Sequence, residues 1–349
     1  MNFMKKAVAV LFVMMLAGCG DFTKPSPAET ETAISDDEIY SSIVESLENM
    51  SMVSEYPCIV DANRTERIIS IINEKRPELF WIKGFTITSY TKKTKIEIDI
   101  MDGCKAEKLE TMYHDIVESA DELISSIPSH LDTYGTVVFV HDYIVSNCEY
   151  YMEGADSGEF GLWSSAYGCL VDGRAVCQGY AEAFQYIMNR LDIECGICKG
   201  DTKRGRHAWN YVNIDGKYYW IDLTWDDPVS EYGEIGEINH IYCLIDDNRL
   251  MRTRTIDADC NFIPKCNEMH ENYFVKNGTY LTSYSDIAIT EILSRYADRG
   301  QAEIMFSDVS AYDDAIENLF ENGRIWELTD SEQINYSEDD TMLILTIRY

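Results

Sequence analysis

An Asp-Gly pair at positions 215–216, set between two runs of strand-forming residues, constrains this chain more than any other feature. Asp-Gly favours a two-residue turn with positive φ at both positions, and the twist of that turn matches a pair of antiparallel strands. The hairpin it predicts joins residues 207–214 to residues 217–224. Ile214 then faces Lys217, and the register runs outward until Trp209 lies opposite Asp222 and His207 opposite Thr224. Side chains 207, 209, 222 and 224 share one face, with His207 and Asp222 as diagonal neighbours. A slip of one residue would send them to opposite faces. The register therefore selects Asp222, over nearby Asp226 and Asp227, as the carboxylate that reaches the His207 imidazole and sets its tautomer.

Cys177 is the third member of this constellation. It follows Gly173-Arg174-Ala175-Val176 and opens a predicted helix that runs to Leu191. A helix N-terminus carries partial positive charge, which favours a thiolate, and it leaves backbone N–H groups free for an oxyanion. Cysteines are common in helices as core residues, so the position alone is weak; a His and an Asp on one strand face give it a chemical meaning.

Four stretches carry a specific resemblance: Ala166-Tyr167-Gly168-Cys169-Leu170-Val171, Val176-Cys177-Gln178-Gly179-Tyr180-Ala181, His207-Ala208-Trp209-Asn210 and Trp220-Ile221-Asp222-Leu223-Thr224-Trp225-Asp226. Together they resemble the bacterial, papain-like branch of the transglutaminase-like superfamily. The resemblance covers residues 135–280. Pro77-Glu78-Leu79-Phe80-Trp81 and Val140-His141-Asp142-Tyr143 look like segments found upstream in such proteins and extend it toward residue 60. It implies an α+β fold in which the Cys helix packs on an antiparallel sheet bearing the His and the Asp. It also implies Cys177 as nucleophile, His207 as general base and later acid, and Asp222 as the residue that orients the imidazole. The second oxyanion donor stays open between Tyr167 and Gln178.

The N-terminus adds a second resemblance. Lys5 and Lys6 precede an apolar run at 7–16 that is too short to span a bilayer. Leu16-Ala17-Gly18-Cys19 resembles the lipobox of bacterial lipoproteins, which implies cleavage before Cys19 and lipid on its thiol. The expected location is the extracytoplasmic face of the cell membrane, held by that anchor. With 29 Lys+Arg against 61 Asp+Glu, the formal charge is −32. A field of that sign repels nucleic acid and anionic headgroups; its even spread reads as a solvated surface. Of eleven cysteines, Cys19 and Cys177 have assigned roles, and the odd number left cannot all pair within the chain. Cys195 and Cys198 sit in a predicted strand with side chains on opposite faces, against a zinc or redox pair.

The expected organisation is a signal peptide at 1–18, a lipidated Cys and polar tether at 19–35, and an α+β region at 36–130. A catalytic domain at 131–285 and a small α+β region at 286–349 follow. His114, His130, His240 and His270 lack metal-ligand spacing, and His141-Asp142 reads as helix packing or capping. Neither metal nor cofactor is called for. The leading function is a cysteine peptidase or amidase acting on protein or peptide outside the cell, cell-wall peptide included. The alternatives are a cross-linking acyltransferase, and a non-catalytic binding module on the same fold.

Overall fold

The computed structural model describes residues 34–227, 238–258, 260 and 262–349. Residues 1–33, with the expected signal peptide, lipidated Cys19 and most of the expected tether, lie outside the described residues. The fold is α+β.

The chain begins with α1 (Asp36–Glu48), started by a reciprocal cap. The Ser35 hydroxyl accepts from the Glu38 N–H, and the Glu38 carboxylate accepts from the Ser35 N–H. β1 (Val53–Tyr56), α2 (Ala62–Lys75), β2 (Ile82–Ser89) and β3 (Thr94–Ile100) follow, with the strands paired antiparallel in the order β1-β3-β2. Then come α3 (Leu109–Ser126) and α4 (Thr133–Asn147). The sequence predicts a helix continuing to 151, but the chain leaves it after Asn147 to form β4 (Glu149–Tyr150). The Gly-rich stretch beyond holds two short helices, α5 (Met152–Ser157) and α6 (Ala166–Leu170). β5 (Arg174–Ala175) pairs parallel with β4, which brings the approach to Cys177 alongside Tyr150.

α7 (Cys177–Arg190) lies on a five-stranded sheet of β6 (Cys195–Thr202), β7 (Gly205–Ile214), β8 (Lys217–Ile221), β9 (Cys243–Ile245) and β10 (Arg254–Ile256), in the order β10-β6-β7-β8-β9. Gly179 permits the close approach of its first turn. A Cβ there would stand 2.8 Å from the Ala175 Cβ and the Trp163 carbonyl oxygen, and 2.9 Å from that of Ser165. The turn at 215–216 has φ of 51° and 81°, and Ile214 pairs with Lys217 and Asn210 with Ile221. That is the register read from the sequence. It stops one pair short of Trp209 and Asp222, because β8 ends at Ile221 and α8 (Leu223–Asp226) begins. Thr224 therefore turns into this helix instead of facing His207, and Asp222 becomes the helix N-cap.

One cluster of buried side chains runs from Ile39 to Leu244, so no break in packing falls at the boundary drawn at residue 130. Cys195 belongs to this cluster, whereas Cys198 faces a second one on the far side of the sheet. That second cluster joins Trp209 and Trp220 to Met305, Met342 and Ile344 of the C-terminal region. Two short helices, α9 (Asp247–Leu250) and α10 (Tyr273–Lys276), lie in the connection. β11 (Tyr280–Leu281), α11 (Asp286–Arg295), β12 (Gln301–Phe306), α12 (Val309–Ile316), α13 (Ile325–Leu328), β13 (Asn335–Asp339) and β14 (Ile344–Arg348) complete the chain, with strand order β11-β12-β14-β13. Buried Arg249 of α9 donates to the carbonyls of Met342 at 2.9 Å and Phe306 at 2.8 Å, fastening this region under the sheet. Among the described residues, no helix is long and apolar enough to cross a membrane.

Candidate active site

Cys177 is the first residue of α7 and is half-buried. Val176 before it supplies no side-chain acceptor, so the N–H groups of the first turn carry no capping side chain. His207 comes in on β7, where its ring stacks on Trp209 at 5.9 Å and meets the edge of Trp225 at 6.1 Å. Its Nε2 lies 2.8 Å from Asp222 Oδ2. The Cys177 thiol lies near the same imidazole and supports its charged form. The structure thus brings together the three residues that the sequence singled out across 46 positions of chain.

The electrostatics follow from burial and charge. Burial alone would push the His207 imidazole down. The charge and hydrogen bond of Asp222, helped by the Cys177 thiol, outweigh it and raise the group to about 9. Burial would likewise raise Asp222. The His207 and Arg254 charges overcome it and hold the carboxyl down at about 2. Arg254 was not foreseen. It enters from β10, 32 positions beyond Asp222, and donates through Nε at 3.1 Å and through Nη2 to the same Oδ2 that faces His207. No local motif announces it.

Tyr150 was also missed. Its phenol is raised to about 12, first by burial and then by the charges of Cys177 and Asp222, which places it beside the site. Two residues, Tyr167 and Gln178, stand open as second oxyanion donor. Tyr167 is buried against Phe80 at 4.7 Å, and the Gln178 side-chain amide donates to Glu182 at 2.8 Å. Trp209 and Trp220 are core residues, and Trp225 is half-buried at the edge of the site.

A second polar cluster lies next to the first. His141 Nδ1 is 2.8 Å from Asp142 Oδ1, and its Nε2 is 3.2 Å from Asp226 Oδ2. His240 Nε2 reaches the same Asp142 oxygen at 2.8 Å, and its ring stacks flat on Tyr273 at 3.6 Å. His240 has no metal-ligand spacing in the sequence; the fold brings it to His141 from 99 positions away. His141, Asp142 and His240 offer three ligand-type atoms within 4.8 Å of one another. Both nitrogens of His141 already bond carboxylates, and Asp142 Oδ1 serves both rings, so the cluster satisfies itself through hydrogen bonds. Burial would lower His141; its two carboxylate partners raise it to about 9. The cluster ties α4 to α8, and α8 starts at Asp222.

The ten cysteines among the described residues are all unpaired. Burial raises several of their thiols, Cys104 to about 11 and Cys195 and Cys243 further still.

Residues 122–224 match the transglutaminase-like superfamily. No curated protein matches the chain. Among solved structures, a TGase is 12% identical over 53% of each chain, with a TM-score of 0.31. A candidate cysteine protease from Cytophaga hutchinsonii is 14% identical over 53% of this chain and 79% of its own, with a TM-score of 0.28. A candidate protease from Parabacteroides distasonis is 10% identical over 45% of this chain and 40% of its own, with a TM-score of 0.23. The chain thus spans about half the length of the TGase it resembles. Members of the matched superfamily are typically cysteine-protease-like enzymes, and residues 122–224 of this chain carry a transglutaminase-like core.

Proposed function

We propose that the chain is a cysteine hydrolase of peptide or amide bonds that works through a thioester on Cys177. The observation that carries this reading is the His207 imidazole, bonded to Asp222 on one nitrogen and neighbour to the Cys177 thiol. With Nε2 held by Asp222, Nδ1 is the nitrogen left to take the thiol proton. The Cys177 sulfur then attacks the substrate carbonyl carbon. Negative charge on the carbonyl oxygen meets the uncapped N–H groups at the start of α7. His207 returns its proton to the leaving amine, the C–N bond breaks, and the acyl group stays on sulfur. Water, deprotonated by His207, attacks the thioester, and Cys177 leaves as the thiol. Water as acceptor fits a nucleophile that is only half-buried. Protein or peptide outside the cell, cell-wall peptide among it, is the proposed substrate, and lipid on Cys19 the proposed tether to the membrane.

The test uses iodoacetamide labelling across pH 5–9, with each cysteine followed by mass spectrometry. Cys177 is expected to label first below pH 7, and His207→Ala is expected to slow it by about 10²–10⁴-fold. Labelling of Cys177 at the pace of half-buried Cys58 and Cys260 in both proteins would remove the catalytic reading. Peptide amides offered with and without a primary amine then separate hydrolysis from transfer. For the tether, Cys19→Ala should move the chain from the membrane to the soluble fraction; an unchanged distribution would refute it.

A further inference from the structure

We infer that Arg254 is a positioning residue for the His207–Asp222 pair: it neutralises Asp222, fixes that carboxylate on the imidazole, and lowers the pH at which the pair gives up its proton. This role rests on reading Cys177, His207 and Asp222 as a catalytic set.

Arg254 is 3% exposed and sits on the edge strand β10, paired with Thr202 of β6. Its guanidinium lies 4.0 Å from the Tyr242 ring, 4.5 Å from Trp225 and 5.8 Å from Trp209. Inside this aromatic box it bonds Asp222 through Nε and Nη2, while Nη1 turns to the Thr253 hydroxyl. Asp222 is its acidic partner among the described residues. A buried ion pair adds little stability over an apolar filling of the same volume, so stability is a poor account of a cation at this place. The geometry offers another. His207 and Arg254 both address Asp222 Oδ2, so whatever Arg254 does to that oxygen is felt by the imidazole.

Consider the pair losing its proton. With Arg254 present, a neutral imidazole remains beside an Asp222–Arg254 ion pair, and no bare charge is left in the box. Without Arg254, the same step strands a lone carboxylate in a nearly dry site, so the pair keeps its proton to higher pH. This holds whether the proton resides on nitrogen or on oxygen, because it is a property of the pair. The other groups facing His207 leave that conclusion intact. They are the Cys177 thiol from α7, the rings of Trp209 and Trp225, and Tyr150 from β4; Arg204 in the β6–β7 turn lies 5.6 Å from the Trp225 ring. A base that takes the thiol proton and a water proton in each cycle must release it each time, and Arg254 makes that release possible nearer neutrality.

The experiment follows Cys177 alkylation from pH 5 to 11 on the whole chain. Thiolate reactivity rises a second time as the neighbouring imidazolium loses its proton, and this alkaline step reports the pair. Arg254→Met is expected to move the step up by about one pH unit or more, and Arg254→Lys to return it close to the native position. A residue that only fills space would lower the melting temperature and leave the step in place. A folded Arg254→Met protein with an unmoved or lowered step overturns the role. Near-UV circular dichroism checks the fold. Where the Met variant is not native, Arg254→Lys and Arg254→Gln, which keep a donor and differ in charge, decide by the same step. His207 dependence in the native protein is established first; its absence removes the catalytic reading and this role together, whereas its presence with an unmoved step removes this role alone.

Discussion

Replacing Asp222 with Asn is expected to slow Cys177 alkylation, and turnover of any amide substrate, by about 10²–10⁴-fold. The carboxylate has three partners, and an amide cannot satisfy them all. It accepts from His207 Nε2 at 2.8 Å, accepts from Arg254, and caps α8 through the Trp225 N–H at 3.4 Å. An Asn turned to accept from His207 and Arg254 points its NH2 at the Trp225 N–H, the flipped Asn points it at His207 and Arg254, and in either orientation the buried Arg254 loses its counter-charge. The His207 group then falls from about 9, since Asp222 is its main support against burial. The substitution should also cost about 3–5 kcal/mol, the usual result of stripping one partner from a buried ion pair. Adding Arg254→Met to Asp222→Asn separates the two effects: stability should recover, reactivity should not. Recovery of both, or native reactivity in the single variant, would refute the assigned role. The pair also shapes stability against pH. Asp222 is held at about 2, so its contribution is present above the ordinary carboxylate range and is lost as pH falls toward 2. His207 is raised to about 9, so its contribution is full below about pH 6.5 and is lost as pH rises through 9. Urea midpoints of native and Asp222→Asn protein should therefore differ most at weakly acidic pH.

The second large effect belongs to His141. Its ring is fully buried between Asp142 and Asp226, and Asp226 is itself fully buried. His141→Ala leaves Asp226 with its Tyr242 N–H, at 2.9 Å, and without the imidazole that bonds its other oxygen. The expected loss is about 3–5 kcal/mol at neutral pH. It should shrink in acid, because burial already raises Asp226 and a protonated carboxyl carries no stranded charge. Because α8 runs from Leu223 to Asp226, loosening its last residue should also blunt Cys177 reactivity through Asp222. A urea denaturation series at pH 7 and pH 5 tests this. A loss under about 1 kcal/mol, or one that grows in acid, would show that the cluster is not a clamp.

What could be read from the sequence followed local rules. Asp215-Gly216 announces the hairpin because a two-residue turn with positive φ dictates register, and register decides which Asp can meet His207. Alternation placed Cys195 and Cys198 on opposite faces, and they do enter different clusters. Long-range partners left no such trace. Arg254 reaches Asp222 from an edge strand, His141 meets Asp226 across 85 positions, and Tyr150 arrives through a two-residue parallel ladder. Periodicity carries no information about pairings at that separation. For the same reason a core shared across residue 130 leaves no mark in the sequence: helix and strand patterns show each segment's apolar face, not what that face packs on.

The late position of the sealing residues has a consequence for how the chain comes of age. A polypeptide emerges from its N-terminus, so Cys177, His207 and Asp222 are all present while Arg254 is still unmade. Arg249 and its carbonyl partners at Phe306 and Met342 come later again. A nascent chain halted near residue 230 holds every atom of the reacting groups, yet its imidazole lacks the neutralised carboxylate and its sheet the layer beneath Trp209 and Trp220. On the proposed reading, full reactivity is therefore expected only once β10 has closed on β6, which would keep an armed thiol away from the unfolded segments of its own chain.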